Sequence, residues 1–459
     1  MIKISAAEFA KVVSGKLHNI PEAMIIDQIP VINSNNATEG TFFVAFKGLN
    51  VDGHDFVNEA IANGAKFALV SKPVEAASIV VADVGQALLD LAKYVRESIK
   101  DLKVIGITGS QGKTTTKDLL DSILQNIGST ISTLDNLNTD IGVPLTLLRC
   151  TESTEYCILE MGARHVGDIA KLTRISSPDV AVVLVVGQAH LGEFGSVEKL
   201  AKTKAELIDN LGEGKIAVLG SYDPFTPKMA DKLKIKKILF GEGQEIRAAD
   251  IEIHGGYANF DLVTPKDRSR VSLQILGEHQ IANALGAAGA AFALGVSTEK
   301  ISLGLSTATL SSKWRMQIEE LSEIKIIHDY YNANPESMKA AVKSLAFLSQ
   351  ESGGQSWAVL GKMHELGGSE KSGHEDVAQY CAEVGVDHLV SVGTELYTMP
   401  VKKVSEGNLL VHHCSNPQAV LELVNNFSAG DVVLLKASRS EKFEELANLI
   451  KGAWNGRDK

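Results

Sequence analysis

The residues best suited to chemistry form a glycine-rich loop near residue 110. A run typical of a β-strand, residues 104–107, leads into Gly109 and Gly112, and Lys113 and Thr114 follow. Glycines let backbone N–H groups close around phosphate oxygens, a lysine reaches the β- and γ-phosphates, and a threonine hydroxyl binds Mg²⁺. The usual spacing places a further glycine at the last strand residue, where this chain has isoleucine. A strand before the loop and a helical pattern after it favour a phosphate-binding loop over a chance turn.

Three ionisable side chains follow elements that could place them beside this loop. Glu160 ends a short apolar strand, where a Mg²⁺ ligand belongs in a parallel sheet, although a solvated glutamate fits equally. His190 follows the valine-rich run 180–186, which predicts a strand buried on both faces, so a second metal site fits there. Lys204 lies in a helical stretch whose charges are typical of a solvated face, and spacing alone gives it no role.

Amide side chains give weaker signals. Asn136 and Asn138 are either turn residues or contacts to a substrate. Asn283 lies in an uncharged, Ala/Gly-rich stretch, 280–298, where it is either a helix cap or a ligand to a nucleobase. The glycines and amides of this stretch predict a buried helix and not a membrane span.

Composition limits the classes of function. A chain of 459 residues is too long for one core and predicts two to four domains. A net charge of −11 argues against a protein that coats nucleic acid. The four cysteines form no Cys-x-x-Cys pair, which favours free thiols in a reducing compartment, and the first residues lack the apolar core of a signal peptide. We therefore expect a cytoplasmic protein with no membrane span and no nucleic-acid partner.

Strands and helices alternate along the chain, which predicts an α/β fold. Helices are indicated over 57–62 and 84–100, and another from Asp118. The segment 311–316 resembles a boundary, after which the pattern predicts a doubly wound sheet without the G-x-G-x-x-G of dinucleotide dehydrogenases. We expect a small α/β N-terminal domain over 1–98, a central P-loop mononucleotide-binding α/β domain over 99–311, and a C-terminal Rossmann-like α/β domain over 312–459.

These motifs resemble those of one family, the Mur ligases. The pieces occur in family order and cover essentially the whole chain: Thr108-Gly109-Ser110-Gln111-Gly112-Lys113-Thr114-Thr115, Glu160-Met161-Gly162-Ala163, Ala189-His190, Lys204-Ala205-Glu206, Gly277-x-His279-x-x-x-Asn283-Ala284 and Trp314-Arg315-Met316. The family's phosphate loop is a short variant, which accounts for the isoleucine.

Other segments narrow the activity that the resemblance implies. Gly40-Thr41-x-Phe43-Val44-Ala45 and Asp52-Gly53-His54 are similar to the members that extend UDP-N-acetylmuramoyl peptides at the third residue or with the final dipeptide. Tyr331-Asn332-Ala333-Asn334-Pro335 and Val359-Leu360-Gly361-x-Met363-x-Glu365-Leu366-Gly367 resemble the member that adds the dipeptide.

The resemblance therefore implies an ATP-dependent amide ligase of peptidoglycan synthesis. It would join D-alanyl-D-alanine to UDP-N-acetylmuramoyl-tripeptide through an acyl phosphate, with ATP and Mg²⁺, and we expect a monomer. The alternatives are the ligase that adds the third amino acid, a folylpolyglutamate-synthetase-like enzyme, which lacks the first domain, and, from another class, a P-loop nucleotide switch.

The resemblance also implies residue roles. Catalytic roles fall to Lys113, Glu160, His190 and Lys204, the last carbamylated, and the Mg²⁺ ligands would be Thr114, Glu160, His190 and Lys204. The nucleotide would contact Gly109, Ser110, Gln111, Gly112, Lys113, Thr114, Thr115, Asn283, Arg315, Asp329 and Asn332. The other substrates would contact Ser34, Thr41, Asn136, Asn138 and Asn334.

The sequence departs from the family pattern outside the phosphate and metal residues. The departures include Asn33, Asn35, Gly220, His328, Lys362 and Ala437. They cluster where substrate identity is set, so the activity class is better defined than the substrate.

Overall fold

Five β-sheets contain the strands of the residues that the structure describes. The structure is a computed structural model, and it describes residues 1–187, 194–310, 312–398 and 409–455. The strands are β1 (Ile4–Ser5), β2 (Lys16–His18), β3 (Ile25–Ile26), β4 (Ile29–Val31), β5 (Thr41–Val44), β6 (Ala68–Val70), β7 (Ser78–Val80), β8 (Lys103–Thr108), β9 (Thr130–Ser132), β10 (Tyr156–Glu160), β11 (Val180–Val183), β12 (Ile216–Gly220), β13 (Lys236–Phe240), β14 (Arg247–His254), β15 (Tyr257–Val263), β16 (Arg268–Leu276), β17 (Gln317–Leu321), β18 (Ile324–His328), β19 (Ser356–Leu360), β20 (His388–Val392), β21 (Leu410–Cys414) and β22 (Val432–Lys436).

The α-helices connect these strands. They are α1 (Ala6–Val12), α2 (Val57–Ala62), α3 (Val84–Ser98), α4 (Lys113–Gln125), α5 (Gly142–Leu147), α6 (Asp168–Ser176), α7 (Val197–Asp209), α8 (Gln280–Ala293), α9 (Thr298–Ser306), α10 (Pro335–Ser352), α11 (Glu370–Glu383), α12 (Leu421–Val424) and α13 (Phe443–Asn455).

The N-terminal sheet has the strand order β2-β7-β6-β5-β4 and is parallel except for the β2–β7 pair. Its core contains three phenylalanines: Phe42 stacks on Phe67 with ring centroids 4.9 Å apart, and Phe9 meets both rings edge-on. Such aromatic pairs contribute about 0.5–1.5 kcal/mol each beyond the area that they bury. Helix α3 then leads to the central sheet, and Arg96 near its end donates to Asp179 at 3.0 Å. The first hundred residues are thereby fixed against the central sheet.

The central sheet is entirely parallel, with the order β13-β12-β11-β8-β10-β9. Its middle strands are buried on both faces, because one core packs against α3, α5, α6 and α7 and another against α4 and α8. An antiparallel sheet of order β14-β15-β16 packs beside α8 and α9. Parallel strands all end at one edge of the sheet, so the loops after β8, β10 and β11 lie together.

The C-terminal sheet has the order β17-β18-β22-β19-β20-β21 and is parallel except for β17. Leu276, the last residue of β16, packs into the C-terminal core beside Leu345 and Leu348 of α10. An ion pair of 2.5 Å between Lys343 and Glu278 joins the same two parts of the chain. These contacts fix the C-terminal sheet opposite the carboxyl edge of the central one.

The predicted α/β class is confirmed, whereas several predicted bounds were wrong. Helix α4 begins at Lys113, five residues before the predicted start at Asp118, and β11 ends at Val183 although the apolar run continues to Val186. The Ala/Gly-rich stretch forms a helix only over Gln280–Ala293. All four cysteines are buried and free. Within the described ranges, no helix combines the length and apolar character needed to cross a membrane.

Candidate active site

A cavity of about 1500 Å³ lies between the central and C-terminal sheets. On the central side it is lined by loops that follow the carboxyl ends of β8, β10 and β11. On the other side it is lined by segments at the carboxyl ends of β18, β19 and β22. In α/β sheets, ligands bind in the crevice outside the carboxyl ends of the strands. Two such edges face each other here, so side chains from both sheets can contact a ligand bound between them.

The loop between β8 and α4 has the geometry of a phosphate cradle. Gly112 has a φ of +80°, and a Cβ there would lie 2.1 Å from Oδ1 of Asn283, so both the backbone and the space demand glycine. The Ser110 amide donates to the Val185 carbonyl at 2.8 Å, and the Gly187 amide donates to the Ser110 hydroxyl at 2.9 Å. The loop is thus held open at the positive end of α4, where an anion is stabilised.

Oxygen atoms suited to a divalent cation meet beside this loop. Glu160 is buried, with 2% exposure, and its two oxygens accept from the Thr114 hydroxyl at 2.7 Å and from the Asn138 amide at 2.8 Å. Arg315 donates to the Thr114 hydroxyl at 2.8 Å. Among the described residues, no three His, Cys, Asp or Glu side chains meet as a complete metal site. A hydroxyl and a carboxylate fit Mg²⁺, which takes its remaining ligands from water and phosphate.

Two lysines lie close to this carboxylate. Lys113 donates to the Gly109 carbonyl at 2.9 Å, and burial lowers its pKa while the Glu160 charge opposes this. Lys204 is 2% exposed, and burial, with a further contribution from the Lys113 charge, lowers its pKa to about 7. A buried ammonium is costly, so Lys204 is readily available as a neutral amine. A neutral amine is the form that reacts with carbon dioxide to give a carbamate.

The opposite wall carries a buried ion pair. Lys436, the last residue of β22, is 2% exposed and donates to Oδ2 of Asp329 at 2.6 Å and to the Asn332 carbonyl at 3.0 Å. The Met316 amide donates to the other Asp329 oxygen at 3.2 Å. Burial raises the pKa of Asp329, and the charges of Lys436 and Arg315 oppose that rise without cancelling it. The pair fixes the loop that faces the phosphate cradle.

Comparison with protein families identifies three consecutive matches. Residues 30–103 match "Mur ligase family, catalytic domain", residues 107–291 match "Mur ligase middle domain", and residues 314–439 match "Mur ligase, glutamate ligase domain".

The chain belongs to the Mur ligase family.

Relatives that cover nearly the whole chain are similar to it. The UDP-N-acetylmuramoyl-tripeptide--D-alanyl-D-alanine ligase of Mycobacterium leprae is 34% identical over 98% of this chain and 99% of its own. The structure of MurF from Acinetobacter baumannii is 35% identical with a TM-score of 0.87, covering 98% of this chain and 99% of that one. MurF ligase from Thermotoga maritima in complex with ADP is 30% identical with a TM-score of 0.80, covering 94% and 99%.

Most of the predicted site residues line the cavity between the central and C-terminal sheets. They are Ser110, Gln111, Gly112, Lys113, Thr114, Thr115, Asn136, Asn138, Glu160, Lys204, Asn283, Arg315, Asp329, Asn332 and Asn334. Gly109 contributes its carbonyl to Lys113. Asn334 also caps α10, since its side chain accepts from the Ser337 amide at 2.8 Å. His190 lies outside the described residues.

Two predicted substrate residues are not brought to this cavity. Ser34 is buried in the N-terminal region, and its carbonyl accepts from Asn63 at 3.0 Å. The Thr41 hydroxyl donates to the Thr38 carbonyl at 2.7 Å and accepts from the Thr38 amide at 2.9 Å. The structure therefore shows Thr41 closing a local turn.

The departures from the family pattern have local structural partners. A Cβ at Gly220 would lie 2.0 Å from the Leu184 carbonyl, so no larger residue fits. The Asn33 side chain accepts from the backbone amide of Asn35 at 3.0 Å. His328 lies 2.8 Å from Glu319, and Lys362 lies 2.9 Å from Glu370. Ala437 is fully buried.

Sequence reasoning assigned no role to several residues that line the cavity. They include Tyr222, His279, His364, Glu365, Lys436 and Arg439. Lys436, Arg439, His364 and Glu365 lie at or just after the carboxyl ends of β22 and β19. The strand-end rule that singled out Glu160 could have found these four, because the same edge of a parallel sheet collects them. The same rule applies to Tyr222, which follows β12, but not to His279, since β16 before it belongs to an antiparallel sheet.

Proposed function

We propose that this Mur ligase joins D-alanyl-D-alanine to UDP-N-acetylmuramoyl-tripeptide at the expense of ATP, in peptidoglycan synthesis. The names of the full-length relatives support this substrate pair. The ADP complex of the Thermotoga maritima relative supports the nucleotide. The one observation that carries the proposal is the cavity whose walls hold a phosphate loop on one side and the C-terminal strand ends on the other.

In the first step the tripeptide carboxylate attacks the γ-phosphate of ATP and forms an acyl phosphate. Backbone amides of the loop and the start of α4 bind the phosphates, and Lys113 and Arg315 neutralise charge that builds up on the transferred group. Asn283 lies against the loop and would meet the adenine, while Asp329 and Asn332 would hold the ribose from the other wall. Catalysis at this step is mainly positioning and charge stabilisation.

A first Mg²⁺ would be held by Thr114 and Glu160 and a second by His190, and a carbamylated Lys204 would be a further metal ligand. When bound, the metal supplies Lewis-acid stabilisation of phosphate charge. Asn138 orients Glu160 through its hydrogen bond of 2.8 Å. The lowered pKa of Lys204 favours the carbamate, since the uncharged amine is the nucleophile toward carbon dioxide.

In the second step the dipeptide amine attacks the acyl carbon, and phosphate leaves. The amine would approach along the C-terminal wall, because the phosphate loop on the central wall is taken by the nucleotide phosphates. We infer three domains with boundaries near residues 98 and 311, whose closure would bring the two walls together. We further propose a monomer that works in the cytoplasm, where ATP is supplied.

Phosphate release from ATP and Mg²⁺ tests the proposal, with the tripeptide nucleotide and D-alanyl-D-alanine added singly and together. Release that requires both, with a pentapeptide product seen by mass spectrometry, is the expected result. Lys113→Met is the matched inactive variant, because it removes the phosphate-binding ammonium from the same enzyme. ATP turnover that is indifferent to either acceptor would contradict the ligase function.

A further inference from the structure

A histidine–carboxylate pair faces the cavity from the C-terminal wall. Nε2 of His364 lies 2.6 Å from Oε1 of Glu441. A carboxylate only accepts, so Nε2 carries the hydrogen and donates it, which leaves the lone pair of the neutral ring on Nδ1. His364 lines the cavity, whereas Glu441 is not among the described residues that line it. The carboxylate thus stands behind the ring, as in other sites where an acid orients a histidine base.

The loop that carries His364 is held in place at three points. The Gly361 amide donates to the Lys436 carbonyl at 2.9 Å, the Met363 amide to Nε2 of His374 at 3.0 Å, and the His364 amide to the Ser438 hydroxyl at 3.0 Å. Two of these acceptors lie at the end of β22, which also provides the Lys436 that pairs with Asp329. The loop that carries the ring is therefore attached to the strand ends that form the C-terminal wall, and the His364 side chain is 40% exposed.

We propose that His364, oriented by Glu441, accepts the proton that the incoming D-alanyl-D-alanine amine must lose before it attacks the acyl phosphate. The inference rests on the proposed function and adds a named residue to its second step. The dipeptide arrives mostly as an ammonium at neutral pH, because an α-amino group has a pKa of about 8. An ammonium has no lone pair, so it cannot attack.

The ammonium gives one proton to Nδ1 of His364, and the freed nitrogen lone pair forms a C–N bond with the acyl carbon. The C–O bond to phosphate breaks, and its electron pair leaves with the phosphate, which takes the second N–H proton. The imidazolium is stabilised by Glu441 and returns its proton to water.

Other charged groups around the ring are already engaged with partners. Lys362 lies 2.9 Å from Glu370, and both oxygens of Glu444 accept from Arg439 at 2.8 Å. His374 uses Nε2 as an acceptor for the Met363 amide, and its Nδ1 lies 2.6 Å from the Glu370 carbonyl. Glu365 follows His364 along the cavity wall with a φ of +64°.

Steady-state ligation by the full-length enzyme across pH 6.5–9.5 tests the proposal, using wild type, His364→Gln and Glu441→Gln. At pH 7 we expect His364→Gln to lower kcat/KM for D-alanyl-D-alanine by up to about tenfold, because roughly a tenth of the amine is already neutral without the base. The deficit should shrink toward pH 9.5, where solvent deprotonates the amine. Glu441→Gln should give a smaller loss with the same pH trend.

A partial reaction separates this role from a structural one. Hydroxylamine is neutral near pH 7, so it traps the acyl phosphate from ATP and tripeptide without a base. Hydroxamate formation by His364→Gln should remain within twofold of wild type. His254→Gln, which changes another exposed histidine near a glutamate but outside the cavity, is the matched control.

Three results would overturn the inference. Equal kcat/KM values for wild type and His364→Gln at every pH would show that His364 does not act as the base. A loss that is the same at all pH values and equally large in hydroxamate formation would assign His364 a structural role. Absence of any amide product from the wild-type enzyme with D-alanyl-D-alanine would refute the proposed function itself, and this step with it.

Discussion

Replacing Lys436 by methionine tests the buried pair that holds the C-terminal wall of the cavity. The side chain keeps a similar length but loses the charge, so Asp329, which is only 13% exposed, is left without its partner. Removing one member of a buried pair typically costs about 3–5 kcal/mol. The carboxyl can limit this cost by taking a proton, which for a group of ordinary pKa costs about 4 kcal/mol at pH 7 and about 1.5 kcal/mol at pH 5.

The sign of the pH dependence follows from the raised pKa of Asp329. Burial already raises that pKa in the wild-type fold, and loss of the Lys436 charge raises it further. The folded variant then binds a proton that the unfolded chain releases above about pH 4. The free energy of unfolding therefore falls as pH rises from about 4 through the folded pKa, and the deficit of the variant is largest at neutral pH.

Urea unfolding followed by tryptophan fluorescence can measure this effect in the full-length enzyme. The three tryptophans, at positions 314, 357 and 454, all lie in the C-terminal third, so the signal reports on that part of the chain. Lys325→Met is the matched control, since that lysine is 41% exposed and lies 3.9 Å from Glu320. We expect the control to lose less than about 0.5 kcal/mol.

A double variant completes the experiment. Lys436→Met combined with Asp329→Asn should lose less stability than the sum of the single changes, with a coupling energy of about 1–3 kcal/mol. A loss of unfolding free energy in Lys436→Met that is no larger than in Lys325→Met, or that is the same at pH 5 and pH 7, would contradict a stabilising role of the pair.

Further predictions concern the central side of the cavity. Gly112→Ala should weaken ATP binding at least about tenfold, because the new Cβ would lie 2.1 Å from Oδ1 of Asn283. Nucleotide titration can measure this loss. The control variant Gly243→Ala, which is also at positive φ but has open space around it, should bind ATP normally. Glu160→Gln should raise the Mg²⁺ concentration for half-maximal activity at least about tenfold, because the amide keeps the shape of the side chain but not its charge. The thermal unfolding temperature should change little. An unchanged Mg²⁺ requirement would show that Glu160 is not a metal ligand. Enzyme freed of carbon dioxide should lose ligase activity and regain it with bicarbonate if Lys204 acts as a carbamate; constant activity would contradict that role.

The α/β class, the phosphate loop and the strand-end position of Glu160 could be read from local sequence. Glycine spacing sets the conformation of a short loop, and apolar runs flanked by glycine predict buried strands, so both signals are contained in a few neighbouring residues. Bounds were less accurate: α4 begins at Lys113 because the helix starts directly from the left-handed Gly112, which the pattern of apolar residues from Asp118 does not reveal. Roles for Lys204 and Asp329 came only from the family resemblance.

Sequence alone thus determined the fold class and the chemistry of the phosphate loop, because these depend on residue types at close spacing. Only the tertiary structure decided which distant residues act together. Lys436 meets Asp329 across 107 positions and His364 meets Glu441 across 77, because parallel strands bring their carboxyl ends to a common edge whatever their order in the chain. The burial that lowers the pKa of Lys204 likewise comes from packing between layers, which no local pattern of residues encodes.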